Sequence, residues 1–181
     1  PRHLNAGRTG RRARHGTMGR VNPGHPAPDD ANPGLAGVPG VLGLDHVAVA
    51  APNLDEAARA YLALGFRVLR PDETVETAGV RVRELGLAGT TVELLQPLNA
   101  ESPVARFLER RGPGLHHLAL RVASVRAALD ACPAAGLSAL DREPRPGRGG
   151  TLVAFLHPTT VGGALVELVE WPGRPQEEPP E

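Results

Sequence analysis

A histidine–glutamate pair occurs twice in this chain, each time in the same setting, and the duplication limits the folds open to it. The first copy is His46 in LDHVAVA with Glu93 in TVELLQP, and the second is His117 in LHHLALR with Glu167 in LVELVEW. The spacings within the copies are 47 and 50 residues. A chain that repeats its ligand-bearing segments is expected to build two similar units. Pairing those units makes a pseudo-twofold pocket with both His–Glu pairs at its centre.

The local patterns agree with two units. Residues 44–50 alternate, which puts His46, Ala48 and Ala50 on one strand face and Val47 and Val49 on the other. Asn53 reads as a helix N-cap, with Glu56 three residues on as in a capping box. Leu54, Ala57, Ala58 and Tyr61 form the helical stripe, and Gly65 stops it. Strand-like runs follow at 66–70, 79–87 and 90–96. Ser102–Pro103 begins a linking helix over 102–112, with Val104, Phe107 and Leu108 as its apolar stripe. The order then repeats: a strand at 115–122, a helix from Ser124 carried by Val125, Ala128, Leu129 and Cys132, and strand-like runs at 137–141, 151–156 and 164–170. Pro133 should disturb the last turn of that helix.

This βαβββ pattern, read twice, predicts an α+β fold: two tandem modules forming a curved mixed sheet around a metal-centred cleft. One βαβββ unit alone has an open edge and a wet sheet face, and pairing two units encloses a concave surface. The folded domain is placed at 43–171, with module one at 43–98, the linking helix at 102–112 and module two at 114–171.

Residues 1–42 are rich in Gly, Pro and Arg and lack periodic apolar positions. They are expected to be disordered, because so little burial cannot offset chain entropy. An organelle transit peptide and a translated stretch ahead of Met18 both fit this segment, and its lack of an amphipathic face favours the second. The tail 172–181 is expected to fray. Net charge is zero overall: +4 over 1–42, −2 over 43–171 and −2 over 172–181. Such a balance argues against nucleic-acid binding. The single cysteine, Cys132, allows no internal disulfide and fits a reducing cytoplasm. No apolar run approaches the ~18 residues that a membrane span needs.

Two imidazoles and two carboxylates suit a borderline divalent ion such as Co, Zn, Ni or Mn. Two ionised carboxylates carry −2, which a divalent cation cancels, and buried unpaired carboxylates are otherwise costly. His116 and His117 fall on opposite strand faces, so one of them joins the site. The match with Asp45–His46 selects His117. Taken singly, each residue reads as readily as a strand-edge His or a solvent-facing Glu, and the agreement between modules favours the site.

Three stretches carry a resemblance: LDHVAVAAPNLDEAARAYLALGF, VELLQPLNAESPVARFLERRGPGLHHLALRV and LVAFLHPTTVGGALVELVEW. They resemble the vicinal oxygen chelate (glyoxalase-like) superfamily and, within it, the methylmalonyl-CoA epimerase family. The most diagnostic piece is PLNAESPVARFLERRGPGLHH, and EPRPGRGGTLVAFLHP is also family-like. The resemblance implies metal ligands at His46, Glu93, His117 and Glu167. It implies Co2+ first among Co2+, Zn2+, Mn2+, Ni2+ and Mg2+, and a homodimer without nucleic-acid or membrane partners. The implied reaction interconverts the two C2 epimers of methylmalonyl-CoA by proton transfer through an enolate.

The chain departs from the family at one place. Where some members carry a catalytic Glu after a Gly-Val start, it has Val82. Glu84 lies two residues on, on the same strand face, roughly 6–7 Å away. Glu84 and Glu167 are therefore the candidate acid–base residues. Arg145 and Arg148, flanking Gly147 in a PRPGRGG loop read as flexible, are the candidates for meeting the CoA phosphates. His157, in LHP, reads as structural. Lactoylglutathione lyase shares the implied fold and ligand types, but the linking-helix wording argues against it. A non-catalytic drug-sequestering protein of the same fold is the second rival. It would line its cleft with aromatics, which are scarce here, with three Phe, one Tyr and one Trp.

Overall fold

The computed structural model describes residues 37–173. The expected disorder of 1–42 and 172–181 therefore lies largely outside the described residues. Where the first of these segments is described, it differs from expectation. Val38 packs against the second module's core, Gly40 C=O accepts from Ala123 N–H at 2.8 Å, and the first strand already runs by Val41.

The elements are β1 (Val41–Ala50), α1 (Leu54–Ala63), β2 (Arg67–Val68), β3 (Glu73–Val75), β4 (Val80–Leu87), β5 (Thr90–Pro97), α2 (Pro103–Arg111), β6 (Gly114–Val122), α3 (Val125–Ala131), β7 (Arg145–Pro146), β8 (Leu152–Leu156) and β9 (Val166–Glu170). They form one open, nine-stranded mixed sheet in the order β2-β4-β5-β1-β6-β9-β8-β7, with β3 also pairing β4. β1 and β6 run antiparallel at the centre, flanked by the parallel pairs β1–β5 and β6–β9. The two expected βαβββ units thus pair, and they meet along their first strands.

Each helix starts and stops where its sequence dictates. The Asn53 side chain accepts from Glu56 N–H at 2.9 Å and caps α1. Ser102 caps α2 with Pro103 in the first turn, and Ser124 caps α3. α3 ends at Ala131, just ahead of Pro133, which cannot supply the N–H that a continued helix needs.

On one sheet face, α1 buries Leu54 and Ala58 against Leu85, Val92 and Leu94. On the same face α3 buries Val125, Ala128, Leu129 and Cys132 against Ala154, Leu156 and Leu168. Each fully buried Leu or Val contributes about 1.5–3 kcal/mol relative to exposure. The opposite face carries the histidines and glutamates. α2 covers part of it, packing Val104 over Ala48, Ala50, Val80, Val82 and Leu95.

Two runs read as full strands do not form them. In 66–70 only Arg67–Val68 pairs, and a separate short strand at 73–75 takes over the edge of β4. In 137–141 a single bridge, Ala139 to Leu156, remains, and the outer edge of β8 is paired instead by Arg145–Pro146. The loop after β7 turns tightly back to β8, with Gly147 N–H donating to Thr151 C=O at 2.9 Å. Gly147 leaves no room for a side chain there, since a Cβ would stand 2.5 Å from Thr151 Oγ1. Gly149 adopts φ +61, a left-handed conformation that disfavours other residues.

Candidate active site

Register places the four predicted ligands on one face. Across β1–β6, His46 pairs with Ala119 and Ala48 with His117. Along β1–β5, Ala48 pairs with Glu93, and along β6–β9, Ala119 pairs with Glu167. The arrangement is the same in both modules. Each His lies beside an alanine that is 0% exposed, and each Glu lies beside one of the same two alanines. A methyl group at these positions leaves space above the sheet for the longer side chains.

All four ligand candidates are buried, at 5–8% exposure. His46 Nε2 lies 3.4 Å from His117 Nε2 and 3.4 Å from Glu167 Oε2, and His117 Nε2 lies 3.3 Å from the same oxygen. Ligand atoms about 2.1 Å from a tetrahedral ion sit roughly 3.4 Å from one another, so this spacing fits a metal. His46, His117 and Glu167 form the convergent cluster, and Glu93 Oε2 approaches it at 3.5 Å from His46 Nε2. The donor set of imidazoles and carboxylates fits a divalent ion.

The groups behind the ligands set their orientation. His46 Nδ1 lies 3.0 Å from Asp45 Oδ1, so its N–H donates there and Nε2 turns inward as an acceptor. Burial opposes a charge on His46, but Asp45, Glu93 and Glu167 outweigh it and hold its pKa above the ordinary value. Asp45 also accepts from Trp171 Nε1–H at 2.8 Å. Burial disfavours its carboxylate, yet the bonds to His46 and Trp171 hold its pKa below the ordinary value.

His117 Nδ1 lies 2.8 Å from His116 Nδ1. Burial and the neighbouring His117 push His116 down to about 4, so it is neutral at pH 7 and can accept the His117 N–H. His116 also meets Phe107 of α2, with ring centroids 4.9 Å apart. The alternation that assigned His116 to the opposite face missed this contact between neighbouring rings.

Glu84 lies opposite Glu93 in the β4–β5 ladder and is 7% exposed. Its Oε2 is ion-paired to Arg70 Nε at 2.6 Å and Arg148 Nη1 at 3.1 Å. The equivalent position in the second module is Phe155, which lies opposite Glu167 and packs edge-on against His117 with centroids 5.3 Å apart. Val82, at 3% exposure, is part of the apolar cluster under α2.

The two arginine candidates behave differently. The Arg145 side chain is 40% exposed, pairs with Asp141 at 2.8 Å and lies over the Phe155 ring. It remains at the surface beside the second half of the site. Arg148 departs from the expected flexible, phosphate-facing side chain, being 9% exposed. Its Nε and Nη2 each lie 2.7 Å from Glu93 Oε1. Burial works against its charge, but Glu93 and Glu84 hold its pKa above the ordinary value. Two inward carboxylates draw the guanidinium in, and the glycines around it let the loop follow. His157 caps the turn after β8 by accepting from Thr159 N–H, as a structural residue would.

Residues 45–155 match the glyoxalase/bleomycin resistance protein/dioxygenase superfamily. An ethylmalonyl-CoA/methylmalonyl-CoA epimerase of Cereibacter sphaeroides is 42% identical over 128 residues, covering 69% of this chain and 95% of that protein. A crystal structure of methylmalonyl-CoA epimerase from Mycobacterium tuberculosis superposes with a TM-score of 0.68 at 35% identity, covering 72% of this chain and 88% of that one. A methylmalonyl-CoA epimerase solved with methylmalonyl-CoA and NH4+ also gives 0.68, at 33% identity, covering 74% and 96%. With its duplicated βαβββ sheet and its inward His–Glu pairs, the chain belongs to the glyoxalase/bleomycin resistance protein/dioxygenase superfamily and, within it, to the methylmalonyl-CoA epimerase family.

Proposed function

We propose that the protein interconverts (2R)- and (2S)-methylmalonyl-CoA by moving one proton off C2 and returning one to the opposite face. The observation that carries this reading is the convergence of His46, His117 and Glu167 from two modules within 3.3–3.4 Å of one another, in a chain of this family. The relatives favour it over a lactoylglutathione lyase or a non-catalytic binder. His46, Glu93, His117 and Glu167 are the proposed holders of a divalent ion, with Co2+ the first choice among Co2+, Zn2+, Mn2+, Ni2+ and Mg2+. Such an ion supplies Lewis-acid stabilisation of negative charge on the thioester oxygen.

The protein's own groups then handle the proton. Glu167 is assigned the proton on one face of C2 and Glu84 the proton on the other. As the C2–H bond breaks, its electron pair delocalises into the thioester carbonyl, and reprotonation from the far side inverts the centre. Burial of both carboxylates limits exchange of the captured proton with bulk water. Arg145, half-buried beside the site, is the remaining candidate for the CoA phosphates, and Arg148 is reassigned below.

A homodimer in the cytoplasm, serving propionyl-derived methylmalonyl-CoA, completes the proposal. Exposed leucines such as Leu64 and Leu115 supply apolar surface that a self-contact can bury. Among the described residues no helix is long and apolar enough to cross a membrane.

Running the reaction in deuterated water tests the chemistry. One deuterium per turnover is expected at C2, detected as a one-unit mass gain in the product. Inversion with no incorporated deuterium would rule out proton transfer through an enolate.

A further inference from the structure

The hydrogen bonds behind the first module's candidate ligands come from Asp45, the neighbour of His46, and from the second module. Trp171 follows β9 and donates its indole N–H to Asp45 Oδ2 at 2.8 Å. Asp45 Oδ1 takes the His46 Nδ1 proton at 3.0 Å. Arg148 follows β7 and grips Glu93 Oε1 with two nitrogens, each at 2.7 Å. The two second-module residues also touch each other, with the Arg148 guanidinium 5.8 Å from the centre of the Trp171 ring. The Arg148 loop is anchored to the first module, since Gly149 N–H donates to Glu73 Oε1 at 2.9 Å.

We propose that Trp171 and Arg148 form a strap from the second module that orients His46, through Asp45, and Glu93 for metal binding. The inference rests on the metal-site reading above. The geometry explains why Glu93 can serve two partners at once: Arg148 holds Oε1, while Oε2 is the oxygen that faces His46 at 3.5 Å. It also explains the buried arginine, whose positive charge offsets one carboxylate of a site that otherwise carries −2. Without the strap, His46 and Glu93 keep their places in the sheet, but Asp45 loses the bond that holds it behind the His46 ring and Glu93 loses the bonds that fix its carboxylate rotation. Trp171 and Arg148 are therefore positioning residues that act through Asp45 and Glu93.

The test is Co2+ affinity, measured by titration calorimetry on metal-stripped protein, with the thermal melt of the metal-free form recorded alongside. Trp171→Phe keeps an aromatic ring near Arg148 while removing the N–H together with part of the indole. Arg148→Met keeps much of the length and removes the fork. Each is expected to raise the Co2+ dissociation constant about 10–100-fold; the metal-free melting temperature should change little in Trp171→Phe and fall in Arg148→Met, which leaves Glu93 buried without its counter-charge. In a His46→Ala background, Trp171→Phe is expected to have little further effect on affinity, because the indole N–H acts on the metal through Asp45 and His46. A purely structural tryptophan would give the opposite pattern: a lower melting temperature, and affinity within twofold of wild type.

If Trp171→Phe does not fold, the near-isosteric Asp45→Asn decides the matter by the same criterion. Unchanged Co2+ affinity in the variants, with the wild type binding normally, overturns the strap alone. A wild-type protein that takes up no Co2+ overturns the metal site and the strap together.

Discussion

Replacing Glu167 by glutamine is expected to lower turnover of methylmalonyl-CoA by about three orders of magnitude, within the range that positioned acid–base groups contribute. Glu167 is the carboxylate that meets both histidines, at 3.4 and 3.3 Å through one oxygen. Glutamine preserves the shape and keeps an oxygen near the histidines, but it has no basic carboxylate with which to take the C2 proton. The loss should fall on kcat, with KM changed much less, because the CoA arm is held elsewhere. The same variant should bind Co2+ more weakly, since one of the site's two negative charges is gone. Assays at saturating Co2+ separate the two effects. Turnover within tenfold of wild type under those conditions would remove Glu167 from proton transfer.

Glu84→Gln is expected to cost about two orders of magnitude in kcat at saturating metal. The case rests on a break in the repeat. The modules match at each ligand, yet module one carries a buried Glu84 where module two carries Phe155. A buried carboxylate is retained against its desolvation cost when something uses it, and here two arginines stabilise it. A competing account makes Glu84 only an anchor for Arg148, and the assay distinguishes them. An anchor lost would weaken Co2+ binding and leave kcat intact once metal saturates. Val82→Glu is not an equivalent rescue, because it drives a carboxylate into the apolar cluster with Val104 and Leu95.

The sequence makes the candidate ligand set and the fold legible for one physical reason: strand alternation and repeat spacing act locally and identically in both modules. His46 and His117 can be placed on a face from their neighbours alone, and Asn53, Ser102 and Ser124 mark helix starts through bonds to residues two or three positions on. What needs a partner strand is harder to read. The 66–70 run resembles a strand, but Leu69 is 50% exposed and only Arg67 and Val68 join the ladder with β4, Leu69 adding a single bond to Glu84 C=O. Arg148 is the sharpest case. Its PRPGRGG loop has the composition of a solvated turn, while Glu93, which draws it inward, lies 55 residues away and is brought close only by sheet pairing. Trp171 gives no local hint of its bond to Asp45, 126 residues earlier. The adjacency of Asp45 to His46 was the readable signal that this ligand has a carboxylate behind it.

The most direct test of the account is epimerisation of (2S)- to (2R)-methylmalonyl-CoA, read through a coupled stereospecific mutase, on metal-stripped protein and on the same protein restored with Co2+. The account predicts activity that disappears with the metal and returns on adding it. Full activity in the stripped protein would contradict the metal's role, and no activity in folded, Co2+-loaded protein would contradict the reaction itself.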